Sequence, residues 1–532
     1  MLFTSRIHRF FFLLGLTISL CALPYSPYAV SVGLFTMAIN WLLDGLWVAK
    51  VNRFLERKTL WAFLLIYASM VVGFFYSEDL KYAIKELKLW LPLLIVPIIV
   101  ATSDPLKRRE LKILLILFCA AVFVATIISF TILIRDYSHL GQNVRYISQY
   151  ISHIRFALMI NLSIFLLGYL ALQKGYFNRI LVKSILILVA IWFVIFLFVL
   201  QSVMGIVILV AISTIILIRW TFLLKEPVLK FSIVVGLAFS LLFSITYLAH
   251  TVDKFFTRNY IDFKTLSKKT ANGNEYTHDT TSRQYENGYL VWINICYPEL
   301  KRGWERESKY PINGPNKDGQ NVELTLIRYL ASKGLSKDSV GLSKIDSVDV
   351  KLIENSVASV IYREHKVGIY PRLYQILSEI DSYATRGVIS GSTVMQRYVY
   401  LKASWQIIKK NILFGVGTGD GKNTLMKDYQ KSGLDLEQKY WFISHNQYLT
   451  VWIASGLIGL VMFLAGLLFP FFYEKRGRFF LCFIFLLLIL LSMLSEDTFE
   501  THIGVSFAAL FYSIFFFGYN FFQDKPECQT TV

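Results

Sequence analysis

Residues 445–472 read HNQYLTVWIASGLIGLVMFLAGLLFPFF. After the polar opening His445-Asn446-Gln447 the run carries no charged side chain and is apolar on every face. A helix of a soluble protein keeps one polar stripe. A helix apolar all round and more than about 20 residues long reads as one that crosses ~30 Å of hydrocarbon. Two details set this run apart. A His-Asn pair stands at its mouth, and Gly456 and Gly459 lie a few turns deeper, spaced for close contact with a neighbouring helix.

Runs of this kind recur along the chain, at roughly 10–23, 28–48, 59–76, 88–102, 113–134, 155–172, 182–200, 205–221, 231–250, 445–472, 479–494 and 502–522. Composition agrees: 55% of the 532 residues are hydrophobic and 16% aromatic, with a mean hydropathy of +0.51, well beyond a soluble domain. The fold class expected is an all-α polytopic membrane protein with about twelve transmembrane helices.

Charge placement sets the expected orientation. Basic residues gather in alternate loops: Arg6 and Arg9; Lys50, Arg53, Arg57 and Lys58; Lys107, Arg108 and Arg109; Lys174, Arg179 and Lys183; Arg219, Lys225 and Lys230; Lys475, Arg476 and Arg478. The excess of Lys and Arg marks the cytoplasmic side. Both termini then lie inside, on the cytoplasmic side, and residues 251–444 lie outside. The net charge of +18 is explained by these loops and by contact with anionic headgroups of the lipid bilayer. No nucleic-acid-binding signature accompanies it, so no nucleic-acid partner is expected.

Of the five cysteines, Cys21, Cys119 and Cys482 fall in expected spans, Cys528 in the tail, and Cys296 alone in the external segment. Neither a disulfide framework nor a cysteine-based metal site follows. Residues 1–25 resemble a signal peptide, but no small-x-small cleavage site follows the apolar run, and a retained first helix is the reading preferred.

Three blocks result: 1–250 with about nine helices, the large and mostly helical external domain 251–444 before the tenth span, and 445–532 with three helices and a short tail. A structureless loop of the middle block's length would be unusual. Helical periodicity is read at 320–333, 345–356, 370–384 and 394–410, and in 370–384 Leu373, Ile376, Leu377 and Ile380 share one face. Residues 265–289, polar and rich in Asn-Gly steps, read as turns or a mobile loop.

Candidate chemistry gathers on the outer side. Residues 411–421 read NILFGVGTGDG. Backbone amides of such a turn, Gly415 and Gly417 among them, can cradle a phosphate, or the turn can simply end a helix. Arg145, Arg155 and Arg397 are expected at or near the outer surface, where a guanidinium either snorkels to headgroups or forks onto a phosphate. His445 either belongs to an interfacial N-cap with Asn446 or accepts a proton near neutral pH. Glu496, Asp497 and Glu500 could orient a histidine or an acceptor, or be solvated. No Asp-x-Asp pattern and no pair of external histidines at ligand spacing accompanies them, and no cofactor is expected. One histidine among several arginines suits group transfer from a diphosphate, with a base activating a hydroxyl and cations stabilising the departing phosphate.

This pattern resembles the O-antigen ligase and O-antigen polymerase superfamily. The residues that carry the resemblance are Arg397, Trp405, the segment 411–417, His445-Asn446 and the pair Gly456/Gly459, within a GT-C-like layout. The tracts 328–338 and 495–500 resemble its Bacteroidetes branch. The resemblance implies an inverting, metal-independent glycosyltransferase that moves a glycan from undecaprenyl diphosphate to a sugar hydroxyl of lipid A-core, or of another surface acceptor, at the periplasmic face. In that mapping His445 is the general base and Arg155 and Arg397 hold the diphosphate. Arg145, Asn446, Gly415 and Gly417 are further candidates for substrate binding. A polymerase of the same superfamily is the nearest alternative. A lipid-linked glycan transporter or flippase is the alternative from another class.

Overall fold

A computed structural model describes residues 2–136, 144–173, 177, 179–365, 368–434 and 436–520. The structure is about 71% helical, and the only two-stranded sheet among these residues joins Tyr285–Glu286 to Tyr289–Leu290. Each of the twelve apolar runs forms a helix: Leu2–Ala22, Pro27–Leu43, Lys58–Phe74, Pro92–Thr102, Arg108–Asp136, His153–Leu172, Ile180–Val199, Val203–Leu223, Pro227–Phe256, Gln447–Tyr473, Phe480–Ser492 and His502–Tyr512, the last continued by a π-helical turn Ser513–Gly518.

They are not twelve equal spans. Among the described residues six helices are long and apolar enough to cross a membrane: Arg108–Arg135, His153–Leu172, Ile180–Val199, Val203–Leu223, Pro227–Phe256 and Gln447–Tyr473. The run read as 28–48 is bent by 111° between Pro27–Leu43 and Trp47–Glu56, where Gly45 takes a left-handed conformation (φ +70°). The run read as 88–102 begins inside an amphipathic helix, Leu80–Trp90, and the chain restarts at Pro92, a residue suited to a first helical position.

The basic loops meet at one end of the bundle. Arg9 donates to the Asp104 (2.8 Å) and Pro105 (3.0 Å) carbonyls and pairs with Glu110. Arg53 reaches the Thr102 carbonyl (2.8 Å) and the Asp104 carboxylate (2.8 Å), and Arg57 the Ala101 carbonyl (3.0 Å). These cations satisfy the exposed carbonyls at the end of Pro92–Thr102, where the helix dipole favours positive charge. Helix Lys58–Phe74 starts at this end, with Thr59 bonded to Glu474. Seventeen residues later, roughly 25 Å at 1.5 Å per residue, it finishes at the other end beside Thr418.

Between Pro227–Phe256 and Gln447–Tyr473 the described residues form six helices of eight residues or more: Tyr297–Glu307, Val322–Ser332, Ser347–Glu354, Tyr370–Arg386, Thr393–Lys410 and Gly421–Ser432. The first three share their own core, built on Leu300, Trp304, Leu326, Tyr329 and Ile353. The periodicity of 370–384 misleads about burial. Leu373, Ile376 and Leu377 are half-buried and Ile380 is exposed, whereas Pro371 and Tyr374 on another face are buried, Tyr374 against the Phe255 ring at 5.1 Å. Part of the polar stretch 265–289 is pinned: the Glu299 carboxylate accepts from Thr270 (2.6 Å), Asn274 (2.7 Å) and Ser339 (2.6 Å).

The helix Gln447–Tyr473 is broken. At Gly456 the backbone turns to φ +68°, ψ −169°, which frees carbonyls from the intrahelical ladder. Each unsatisfied backbone group costs several kcal/mol in hydrocarbon. The turn 411–421 supplies the partners. Val416 and Gly417 donate to the Ile453 (2.8 Å) and Ala454 (3.0 Å) carbonyls, while Leu457 and Ile458 donate back to Ile412 (2.8 Å) and Leu413 (3.3 Å). The same turn grips helix Lys58–Phe74, because Thr418 donates from its backbone to Gly73 (3.2 Å) and from its hydroxyl to Met70 (2.7 Å). Asp420 accepts from the backbone N–H groups of Glu78 (2.7 Å) and Asp79 (3.0 Å).

A Cβ at Gly456 would stand 2.1 Å from the Leu413 carbonyl oxygen, whereas one at Gly168 meets nothing within 4 Å. Gly456→Ala is therefore expected to destabilise the protein by about 1–3 kcal/mol through strain and clash, seen as a lower Tm in detergent, with Gly168→Ala leaving Tm unchanged or raised.

Candidate functional site

The site forms where the start of Gln447–Tyr473 meets the segment 493–501. Asn446 is the N-cap: its Oδ1 accepts from Leu449 (3.1 Å) and its Nδ2 donates to the Leu494 carbonyl (2.8 Å). Gln447 donates from its backbone to Met493 (3.0 Å), and its side-chain oxygen accepts from Phe499 (2.7 Å). Ser444 and Thr450 bond to each other, and Thr450 donates to Asp497 at 2.6 Å. The acidic loop is thus strapped to the helix mouth, and His445 lies between the two.

His445 adopts a left-handed backbone conformation (φ +49°), uncommon outside glycine. That turn lets Asn446 cap the helix while the imidazole leaves it sideways. The ring lies against Tyr400 (centroids 5.6 Å apart) and Phe442 (6.0 Å). Its Nδ1 is 3.6 Å from Glu496 Oε2, and the side chain keeps 29% of its surface exposed. The other oxygen of Glu496, Oε1, accepts from Arg397 on helix Thr393–Lys410. Arg155, on the first turn of His153–Leu172, donates Nη2 to the Asp497 carbonyl at 3.2 Å. Its Nε is buried without a hydrogen-bond partner among the described residues.

Three residues distant in sequence thus converge on Glu496-Asp497. Burial pushes the Glu496 carboxyl up, but the bonds and charges of His445, Arg397 and Arg155 together outweigh it and hold it below the usual carboxylate range. Burial dominates at its neighbours and pushes Asp497 and Glu500 up. One ionised carboxylate therefore faces the imidazole, flanked by acids that resist ionisation. The carboxylate faces Nδ1 from 3.6 Å, and a proton held on Nδ1 leaves Nε2 as the acceptor. Two guanidiniums alongside supply donors matched to phosphate oxygens.

Other expected site residues are placed differently. The amides of Gly415 and Gly417 cradle nothing: they donate to the Asn411 and Ala454 carbonyls, so the turn is a clamp on the broken helix. Gly456 is the break itself, with no role as a simple helix-contact glycine. The Asn446 amide caps the helix through Oδ1 and ties the Leu494 carbonyl through Nδ2. The side chain of Arg145 lies outside the described residues. Tyr400 was not among the candidates from sequence. Its hydroxyl donates to the Tyr440 carbonyl, and its ring backs the imidazole. Its position one turn after Arg397 on an amphipathic helix is the signal that points to it.

Fold and site together define a multi-pass helical membrane protein with a His–Glu–Arg cluster at the end of the bundle opposite the basic loops. Residues 366–464 match the family model described as O-antigen ligase, which bears out the resemblance drawn from the sequence. The matched segment takes in Arg397, the 411–421 turn, His445 and Gly456, and ends before Glu496. No curated protein matches the chain.

A carboxyl whose folded-state pKa is depressed adds stability above its unfolded value, near 4.5, and loses it as pH falls through the folded value. Glu496→Gln is therefore expected to lower Tm at pH 6–7, with the difference from wild type shrinking below about pH 4.5. An equal deficit at all pH values would show that the charge of Glu496 contributes nothing.

Proposed function

We propose that the protein is a glycosyltransferase that takes a glycan from undecaprenyl diphosphate and joins it to a sugar hydroxyl of lipid A-core at the periplasmic face of the bacterial inner membrane. The observation that carries this reading is the meeting of His445, Arg397 and Arg155 on one two-residue segment, Glu496-Asp497, in a chain whose 366–464 segment matches O-antigen ligases.

In the proposed reaction His445 Nε2 takes the proton of the acceptor hydroxyl as its oxygen attacks the anomeric carbon. The bond from that carbon to the diphosphate oxygen breaks on the opposite face, and the configuration inverts. Negative charge grows on the departing diphosphate, where preorganised cations in a water-poor site count most. Arg155 offers its unpartnered Nε there, and Arg397 the N–H groups that Glu496 leaves free. Glu496 stabilises the imidazolium that forms, as a carboxylate behind a catalytic histidine does. The orientation rests on the gathering of the basic loops at the end away from this site.

In vesicles containing purified protein and lipid-linked glycan, His445→Ala is expected to lower transfer by about 10²–10⁴-fold, the usual worth of a general base, with membrane insertion retained. Wild-type rates in that variant would remove His445 from the chemistry. Arg155→Lys and Arg397→Lys keep charge but lose the fork, and each is expected to cut transfer at least tenfold. Full activity in both would take the arginines out of the site.

A further inference from the structure

The tip of the turn 411–421 is apolar and bare: Ile412, Leu413 and Phe414 are consecutive and all exposed. Their carbonyls are nevertheless all taken. Ile412 accepts from the Leu457 amide (2.8 Å) and from the Trp452 indole (3.0 Å), Leu413 from Ile458 (3.3 Å), and Phe414 from the Tyr76 hydroxyl. A loop in water needs no such partners, whereas backbone in hydrocarbon has to be satisfied by protein. The tip also continues the exposed apolar face of the helix beyond the break, formed by Leu457, Ile458 and Val461. It therefore belongs to the lipid side of the molecule.

Helix Thr393–Lys410 leads from this tip back to the reaction centre. Its buried face carries Tyr400, Ala403 and Ile407. Beside that face Leu401 and Trp405 stand one and two turns after Arg397, with Tyr398 next to them, and all three are exposed. An amphipathic helix in water turns polar side chains to this side. The row begins at Arg397, whose side chain keeps 36% of its surface open although Glu496 holds one nitrogen. It ends at the tip, roughly 20 Å away at 1.5 Å per residue. Trp405 packs edge-on against Trp452 (5.9 Å), which itself bonds to the tip, so the row is continuous. A row that is cationic at the reaction centre and apolar from there to the bilayer complements a molecule with an anionic head and one long hydrocarbon tail. It is narrow, which suits a single chain better than the paired chains of a phospholipid.

We propose that this row is the track for the isoprenoid chain of the lipid diphosphate. The diphosphate sits on Arg397, the first isoprene units lie along Tyr398, Leu401 and Trp405, and the chain passes into the bilayer over residues 412–414. The proposal rests on the glycan-transfer reading for the diphosphate at Arg397. The track residues bind the chain and move no proton.

The test uses the full-length protein in phospholipid nanodiscs and two probes that carry no glycan: undecaprenyl diphosphate with a photoreactive group in its chain, and inorganic diphosphate. The lipid probe is expected to label 398–414, and excess unlabelled undecaprenyl diphosphate to displace it. Leu401→Asn and Phe414→Asn alter exposed side chains, so Tm in detergent should hold. Each is expected to weaken binding of the lipid probe about tenfold, the worth of one large apolar contact, and to leave that of inorganic diphosphate unchanged. His445→Ala should bind both probes as the wild type does. Wild-type affinity for the lipid probe in both asparagine variants would overturn the track. So would labelling of 398–414 that excess undecaprenyl diphosphate fails to displace, the result expected if bulk phospholipid covers the row. Normal labelling in a wild-type protein that transfers no glycan to any acceptor would instead overturn the transfer reading and leave the track standing.

Discussion

The arrangement depends on a helix that breaks inside the bundle and is repaired by another segment. Hydrocarbon tolerates an interrupted helix only where protein satisfies the freed backbone groups. Here the turn 411–421 does so, exchanging hydrogen bonds with both sides of the break at Gly456. One repair fixes three things at once. It anchors helix Thr393–Lys410, which carries Arg397 and Tyr400, to the helix that His445 precedes. It binds both to Lys58–Phe74 through Thr418, and it seats Asp420 on the amides that lead into Leu80–Trp90. Three of the four glycines in this turn have an account in geometry, since Gly415 and Gly417 take positive φ and any Cβ on Gly419 would meet the Asp79 carbonyl.

On that frame the electrostatics divide by burial and partner. Glu496 has Arg397 on one oxygen and the His445 ring facing the other and stays charged, while Glu500, a few residues on, has a second carboxyl beside it and is pushed the other way. Groups of the same type in one loop are thereby held in different charge states. Separation of this kind marks functional sites more often than structural ones.

Much of this was legible in the chain. Every apolar run became a helix because apolar length alone decides that in a bilayer. His445, Arg155 and Arg397 could be singled out as polar residues at one surface, and the family match at 366–464 agrees with the motifs around two of them. What could not be read was which segment stands opposite which. The GxGxG turn looked like an anion cradle because glycine-rich backbone serves both purposes, and only its partners show it to be a clamp. Helix lengths misled where Gly45 and Pro92 interrupt an apolar run, because composition does not register a bend.

The central claim is that the His445 cluster transfers a lipid-linked glycan to a lipid-linked acceptor sugar. It is tested most directly by supplying the purified wild-type protein in vesicles with undecaprenyl-diphosphate glycan, either with lipid A-core or with further donor alone. The account predicts that the glycan moves to lipid A-core and that undecaprenyl diphosphate is released in equal amount. Chain extension on donor alone with lipid A-core untouched would contradict ligation, and release of nothing under either condition would contradict glycan transfer itself.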